Sequence, residues 1–107
     1  MTDATQPAAD GDILEVVSTR FRWTGGGGFT YDPGSQRSHG LNRTREGARI
    51  RIGSHRTRLD ARRQAFLATL FDDDTLRMMT TNQVTYEDGH HVVTGSMFEI
   101  RPAEIGA

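Results

Sequence analysis

The dipeptide Asp88-Gly89, set between the β-rich runs Gln83–Glu87 and His90–Thr94, constrains this chain more than any other feature. Asp-Gly suits a type I′ turn, whose twist matches that of two antiparallel strands and which needs positive φ at both central residues. A two-residue turn also dictates register. It sets Glu87 opposite His90, Tyr86 opposite His91, Thr85 opposite Val92 and Val84 opposite Val93. An isolated hairpin is marginal in water, so the rest of the chain must supply more strands and a cover for one face.

The remaining strand signals lie at both ends. Ile13–Val17 and Phe21–Thr24 read as two short strands, with Phe21 and Trp23 on one face as core candidates. Gly25–Gly28 reads as a hairpin loop; a phosphate cradle is the competing reading, but no helix start follows it. Phe29–Tyr31 resumes the pairing before Asp32-Pro33-Gly34 turns the chain, and Ser35–Gly47 has no period and reads as a polar, basic loop. Asp60 is placed to cap a helix over Ala61–Phe71, with the stripe Phe66, Leu67, Leu70 and Phe71 facing a sheet. Asp72–Asp74 should stop that helix, since carboxylates are unfavourable at the negative end of its dipole. Thr75–Thr80 and Met97–Ile100 read as strands, Gly95 as a bulge or break, and Pro102 as the end of the last strand. The expected fold class is α+β, a small antiparallel sheet built of hairpins with one packed α-helix.

At 107 residues and 35% hydrophobic composition there is room for one domain with a modest core, expected over residues 12–102. Residues 1–11 read as a disordered leader and residues 103–107 as a frayed tail. The leader has neither the basic start nor the apolar stretch of a secretory signal, and no apolar run reaches the length of about 18 residues a membrane span needs. A cytoplasmic protein is the resulting expectation. The chain has no Cys, which excludes disulfides, thiolate metal sites and cysteine nucleophiles. It also has no Lys, all 13 basic residues being Arg, which excludes a Walker A lysine and Schiff-base chemistry.

Charge is segregated although the net value is −1. Residues 1–36 carry −3, residues 37–63 carry +7 and residues 64–107 carry −5. Within the basic third, Ala48, Ile50 and Ile52 alternate with Arg49 and Arg51, and Gly53-Ser54 suits a type II′ turn. That pattern predicts a hairpin over residues 48–59 with Arg49, Arg51, Arg56 and Arg58 on one face and His55 on the apolar one. Like charges opposite each other weaken a sheet, so such a face needs a reason. An anion site supplies one: these four with Arg43, Arg45, Arg62 and Arg63 would present planar forks to phosphates. Pairing with Asp72–Asp74 or the acidic N-terminal third, or simple solvation, is the competing account. Tyr31, in a polar turn, is the candidate for stacking on a base.

No other constellation reads as a site. His90 and His91 point to opposite faces of a strand, His39 has no visible partner, and Asp72–Asp74 reads as a solvated helix end, so no metal and no cofactor is expected. No spaced nucleophile–base motif occurs, which leaves catalysis to pairs assembled from distant residues such as His91 with Glu99, or to His55 beside a carboxylate. The functional expectation is non-catalytic binding of a polyanion, nucleic acid first, through the arginine hairpin. The alternative is a structural or regulatory module that docks an acidic protein or associates with its own acidic ends into an oligomer.

Overall fold

The computed structural model describes residues 13–55 and 61–103, the side chains of Ala61 and Arg62 excepted. Strands β1 (Leu14–Thr24), β2 (Gly28–Asn42), β3 (Met79–Glu87) and β4 (His90–Pro102) form one antiparallel sheet in the order β2-β1-β4-β3. Helices α1 (Arg45–His55), α2 (Ala61–Leu67) and α3 (Asp73–Arg77) lie between β2 and β3 in the chain. The fold is α+β and built on hairpins, with three helices among the described residues where one was expected. The expected leader and most of the expected tail lie outside the described residues.

The C-terminal hairpin has the predicted register, from Glu87↔His90 to Val84↔Val93, and Asp88 and Gly89 take φ of 51° and 82°. At the other end, the glycine run closes β1 onto β2 at Thr24↔Gly28. Its amides are used inside the fold, Gly27 donating to Thr24 Oγ1 at 2.8 Å and Gly25 to the carbonyl of His91 at 3.0 Å. Two of the donors a phosphate cradle would need are therefore committed. The expected break between Val17 and Phe21 is absent: β1 pairs with β4 without a slip from Leu14↔Pro102 to Thr24↔Val92. Gly95 lies in an unbroken β4, and the bulge falls opposite it, between Thr81 and Gln83 of β3. The Thr80 carbonyl packs where a Gly95 side chain would be, so the glycine permits close approach of two backbones.

Three expectations in the middle of the chain are corrected. Ser35–Asn42 is the second half of β2, not a loop, because its backbone finds β1 as a partner. Residues 45–55 form helix α1, not the first half of an arginine hairpin. Thr44 caps α1, its Oγ1 accepting from the Gly47 amide at 3.0 Å and its carbonyl from Ala48 at 3.0 Å. Ala48 and Ile52, four apart, are the apolar stripe, and Ile50 is left 69% exposed. The helix separates Arg49 from Arg51 by about 200° around its axis, which removes the like-charge contact a ladder would impose. Finally, α2 ends at Leu67 instead of running to Phe71, and α3 with Met78 occupies most of the expected strand 75–80. The aspartates open α3: Asp72 Oδ1 accepts from the Thr75 amide at 2.8 Å, and Asp73 and Asp74 sit in its first turn, where the dipole favours them.

The slip-free pairing of β1 with β4 assigns side chains to faces by parity. One face carries Phe21 and Val93 together with Met79, packed under Leu67 and Phe71 from the α2–α3 segment. Val16 and Phe98, on the other face, are packed under Ala48 and Ile52 of α1. The sheet is thus covered on both sides. The cover on the α1 side is shorter.

A basic cleft as the candidate functional site

Where α1 stops covering its face, the sheet is polar. Ser18, Arg20 and Arg22 of β1 alternate with core residues and point to that side, opposite Phe98, Ser96 and Thr94 of β4. The β2 edge supplies the rest through two irregularities. His39 stands between Ser38 and Gly40 where the register against β1 slips, and Pro33 to Gln36 stand opposite Thr19 alone. The second bulge is held by Ser35, whose Oγ accepts from the Arg20 amide at 2.8 Å and donates to the Asp32 carbonyl at 2.6 Å. Such bulges re-aim side chains, and here they direct His39 inward.

The product is a cleft of about 340 Å³. Its lining includes Arg20, Arg37, His39 and His55 with the hydroxyls of Ser18, Ser35, Thr80 and Ser96, over Phe98. No carboxylate lines it among the described residues. Ser18 Oγ and His39 Nε2 share a hydrogen bond of 2.6 Å. The rings of His39 and His55 lie 4.6 Å apart, and both pack on Phe98, at 5.2 and 6.3 Å. His39 is held below the ordinary imidazole range, first by burial and then by His55 and Arg37. Arg20 reaches Asp32 at 3.8 Å with both side chains more than half exposed, a weak pair that leaves its fork accessible.

Of the eight arginines read from the sequence as phosphate ligands, the five with described side chains, Arg43, Arg45, Arg49, Arg51 and Arg63, stand at separate places. Arg51 is structural: its guanidinium donates to Asn42 Oδ1 at 3.3 Å and to the carbonyls of His39 at 3.3 Å and Leu41 at 3.5 Å, tying α1 to β2. Arg49 lines a different cavity with Arg77, Asp74 and Met78. Arg43 and Arg45 flank Thr44 at the start of α1. Arg63 stands on α2, which packs on the opposite face through Leu67. Arg56 and Arg58 lie outside the described residues, as does the side chain of Arg62. Tyr31 is 50% exposed and stacks on Phe29 at 6.0 Å, on the α2–α3 face and away from the cleft.

Sequence reasoning missed Arg20, Arg37, His39 and Ser18. Ser18 and His39 are 21 residues apart, and a register slip brings them together, so no local spacing could have flagged them. His55 sits in the last turn of α1, not on the apolar face of a hairpin. His91 packs against Phe66 and Tyr86, while Glu99 lies further along β4 beside Arg101 at 3.5 Å, so the two do not form a pair.

Chemically, the cleft offers the fixed positive charge of its arginines, two imidazoles and the hydroxyls of Thr80 and Ser96, those of Ser18 and Ser35 being engaged by His39 and the Asp32 carbonyl. A serine against a histidine has the outline of a nucleophile and its base. Ser18 is only 7% exposed, and its hydrogen bond to His39 ties β1 to β2 as a polar clamp. Among the described residues no three His, Asp or Glu side chains gather as a metal set, and no helix is long and apolar enough to cross a membrane. Comparison with protein-family models, curated proteins and solved structures finds no match to this chain. Function must therefore be argued from the cleft.

Proposed function

We propose that this domain binds a polyanion without catalysis, nucleic acid foremost, and that the cleft beside α1 is its phosphate-contacting surface. One observation carries the reading: two arginines, two histidines and four hydroxyls line one concavity without an opposing carboxylate among the described residues. Arginine forks and hydroxyls are what phosphate oxygens require, and charge-assisted hydrogen bonds of this kind are the strong ones. The basic middle of the chain supports the reading through Arg37 and His39 of β2 and His55 of α1, which share the cleft.

The test is fluorescence anisotropy with labelled single- and double-stranded oligonucleotides across a salt series, wild type beside Arg20→Ala/Arg37→Ala. Binding should weaken steeply with salt, as counterion release demands, and the double variant should lose about tenfold or more with a flatter slope. No binding at low salt would remove nucleic acid as the ligand and leave docking of an acidic protein as the reading to pursue.

A further inference from the structure

Among the described residues, the cations of the cleft gather at a point and not along a track. A running nucleic-acid backbone calls for positive charge strung along a channel. Here Arg20, Arg37, His39 and His55 meet in one cavity, whereas Arg49 faces a second cavity and Arg51 is spent on β2 carbonyls. A phosphodiester within a chain brings one negative charge and two free oxygens to such a spot. A phosphomonoester brings about −1.5 to −2 charges near neutral pH and three acceptor oxygens.

The histidines sharpen the difference. Two imidazoles 4.6 Å apart, with Arg20 and Arg37 in the same cavity, repel one another once protonated. Arg51 adds to this, since its guanidinium donates to the His39 carbonyl. Among the described residues, the carboxylate beside the rim is Asp32, engaged with Arg20 at 3.8 Å, and β3 and β4 contribute the neutral groups Thr80, Ser96 and Phe98 to the lining. A dianion seated among these groups supplies the missing counter-charge, and His39 can then hold its proton beside His55 and Arg37.

We infer that the cleft takes the terminal phosphomonoester of a nucleic-acid strand, captured together with a proton on His39. This rests on the polyanion reading above and narrows it from backbone to strand end. The linkage sets a direction with pH. A phosphomonoester takes its second charge near pH 6, and His39, held below the ordinary imidazole range, gives up its proton as pH rises, so the favourable pairing fades toward alkaline pH.

The experiment compares otherwise identical labelled oligonucleotides carrying 5′-phosphate, 3′-phosphate or hydroxyl ends, by anisotropy from pH 5.5 to 8 at fixed ionic strength. At pH 6.2 one of the phosphorylated strands should bind at least about tenfold more tightly than the hydroxyl-ended strand, with the preference falling toward unity by pH 8. Inorganic phosphate should displace it and erase the advantage. His55→Gln changes an exposed residue of the lining, so it should keep the fold and lose part of the preference, whereas His39→Gln should remove the pH dependence. Equal binding of all three strands at every pH would overturn the end-specific reading while leaving polyanion binding intact. A preference that does not vary with pH, or that inorganic phosphate fails to compete, would overturn the proton-coupled capture. Failure of every strand to bind at low salt would sink both readings.

Discussion

The two faces of the sheet share β1 residue by residue and put it to different uses. Toward α2 and α3, Phe21 and Trp23 meet Phe29 and Phe71, with Trp23 and Phe71 edge-on at 4.8 Å and Phe21 and Phe29 at 5.3 Å. Toward α1, the same strand shows Val16, then Ser18, then Arg20, so the apolar contact with Ala48 and Ile52 gives way to a polar cleft. Aromatic packing of the first kind concentrates stabilisation. A cover that ends part-way along a sheet leaves concave, dischargeable space. Period-two alternation lets one strand serve both ends without conflict, since a change on one side leaves the other side's neighbours in place.

The largest effect should come from testing that separation directly. Phe21 is 4% exposed in the middle of the aromatic cluster, and Phe21→Ala should cost about 3–5 kcal/mol in urea unfolding. That is a large share of the roughly 5–15 kcal/mol typical of a whole domain. Affinity for a phosphorylated oligonucleotide, measured on the folded fraction, should hardly move. Arg20→Ala/Arg37→Ala should do the reverse, changing stability by less than about 1 kcal/mol because the one ion pair removed is exposed. A double variant that unfolds, or a folded Phe21→Ala protein that has lost binding, would break the division of labour.

A smaller effect probes how α1 is fastened to its side. Arg51 makes three hydrogen bonds of 3.3–3.5 Å to β2 and closes over Gly40, where a side chain would collide with its guanidinium. Replacing it, as Arg51→Met, should cost about 1–2 kcal/mol, since the bonds are long but two carbonyls lose a charged donor. Unlike Phe21→Ala, it should also weaken anion binding, because His55 rides on α1. Stability loss with unchanged affinity would mean that the cleft does not depend on the seating of the helix.

Legibility from sequence followed the range of the interactions involved. The Asp88-Gly89 hairpin is local, since turn chemistry and alternation agree within a dozen residues, and its register was readable in full. Residues 45–55 show a local signal overridden by packing. Alternation of Ile with Arg suggested a strand, whereas in the structure Thr44 caps a helix whose Ala48 and Ile52 pack on Val16 and Phe98. The like-charge ladder that the strand required was itself a warning. Asp72–Asp74 was rightly a helix boundary but for the wrong helix, because a carboxylate that ends one helix can cap the next. The cleft was the least legible part. It depends on bulges in β2 that set His39 against Ser18 and on a helix that ends at His55, and neither is written in the spacing of the residues concerned.

The smallest effect, and the one most particular to the α1 face, is a dependence of stability on pH. His39 is held below the ordinary imidazole range in the folded protein, by burial first and by His55 and Arg37 next. In the window between that lowered value and the ordinary 6.5, the unfolded chain binds more protons than the folded one, so stability there rises with pH. The protein should therefore be fully stable, as far as this group is concerned, above the ordinary imidazole range and lose stability as pH falls through the window. The apolar cluster on the other face adds no such response of its own, because Phe21, Val93 and Phe71 carry no titrating group. Urea unfolding at pH 7.5, 6.5 and 5.5 should show a decline that is reduced in His39→Gln, and saturating phosphate should oppose the decline by favouring protonated His39. An identical decline in wild type and His39→Gln would assign the pH dependence elsewhere and make the two faces more alike in acid than their chemistry implies.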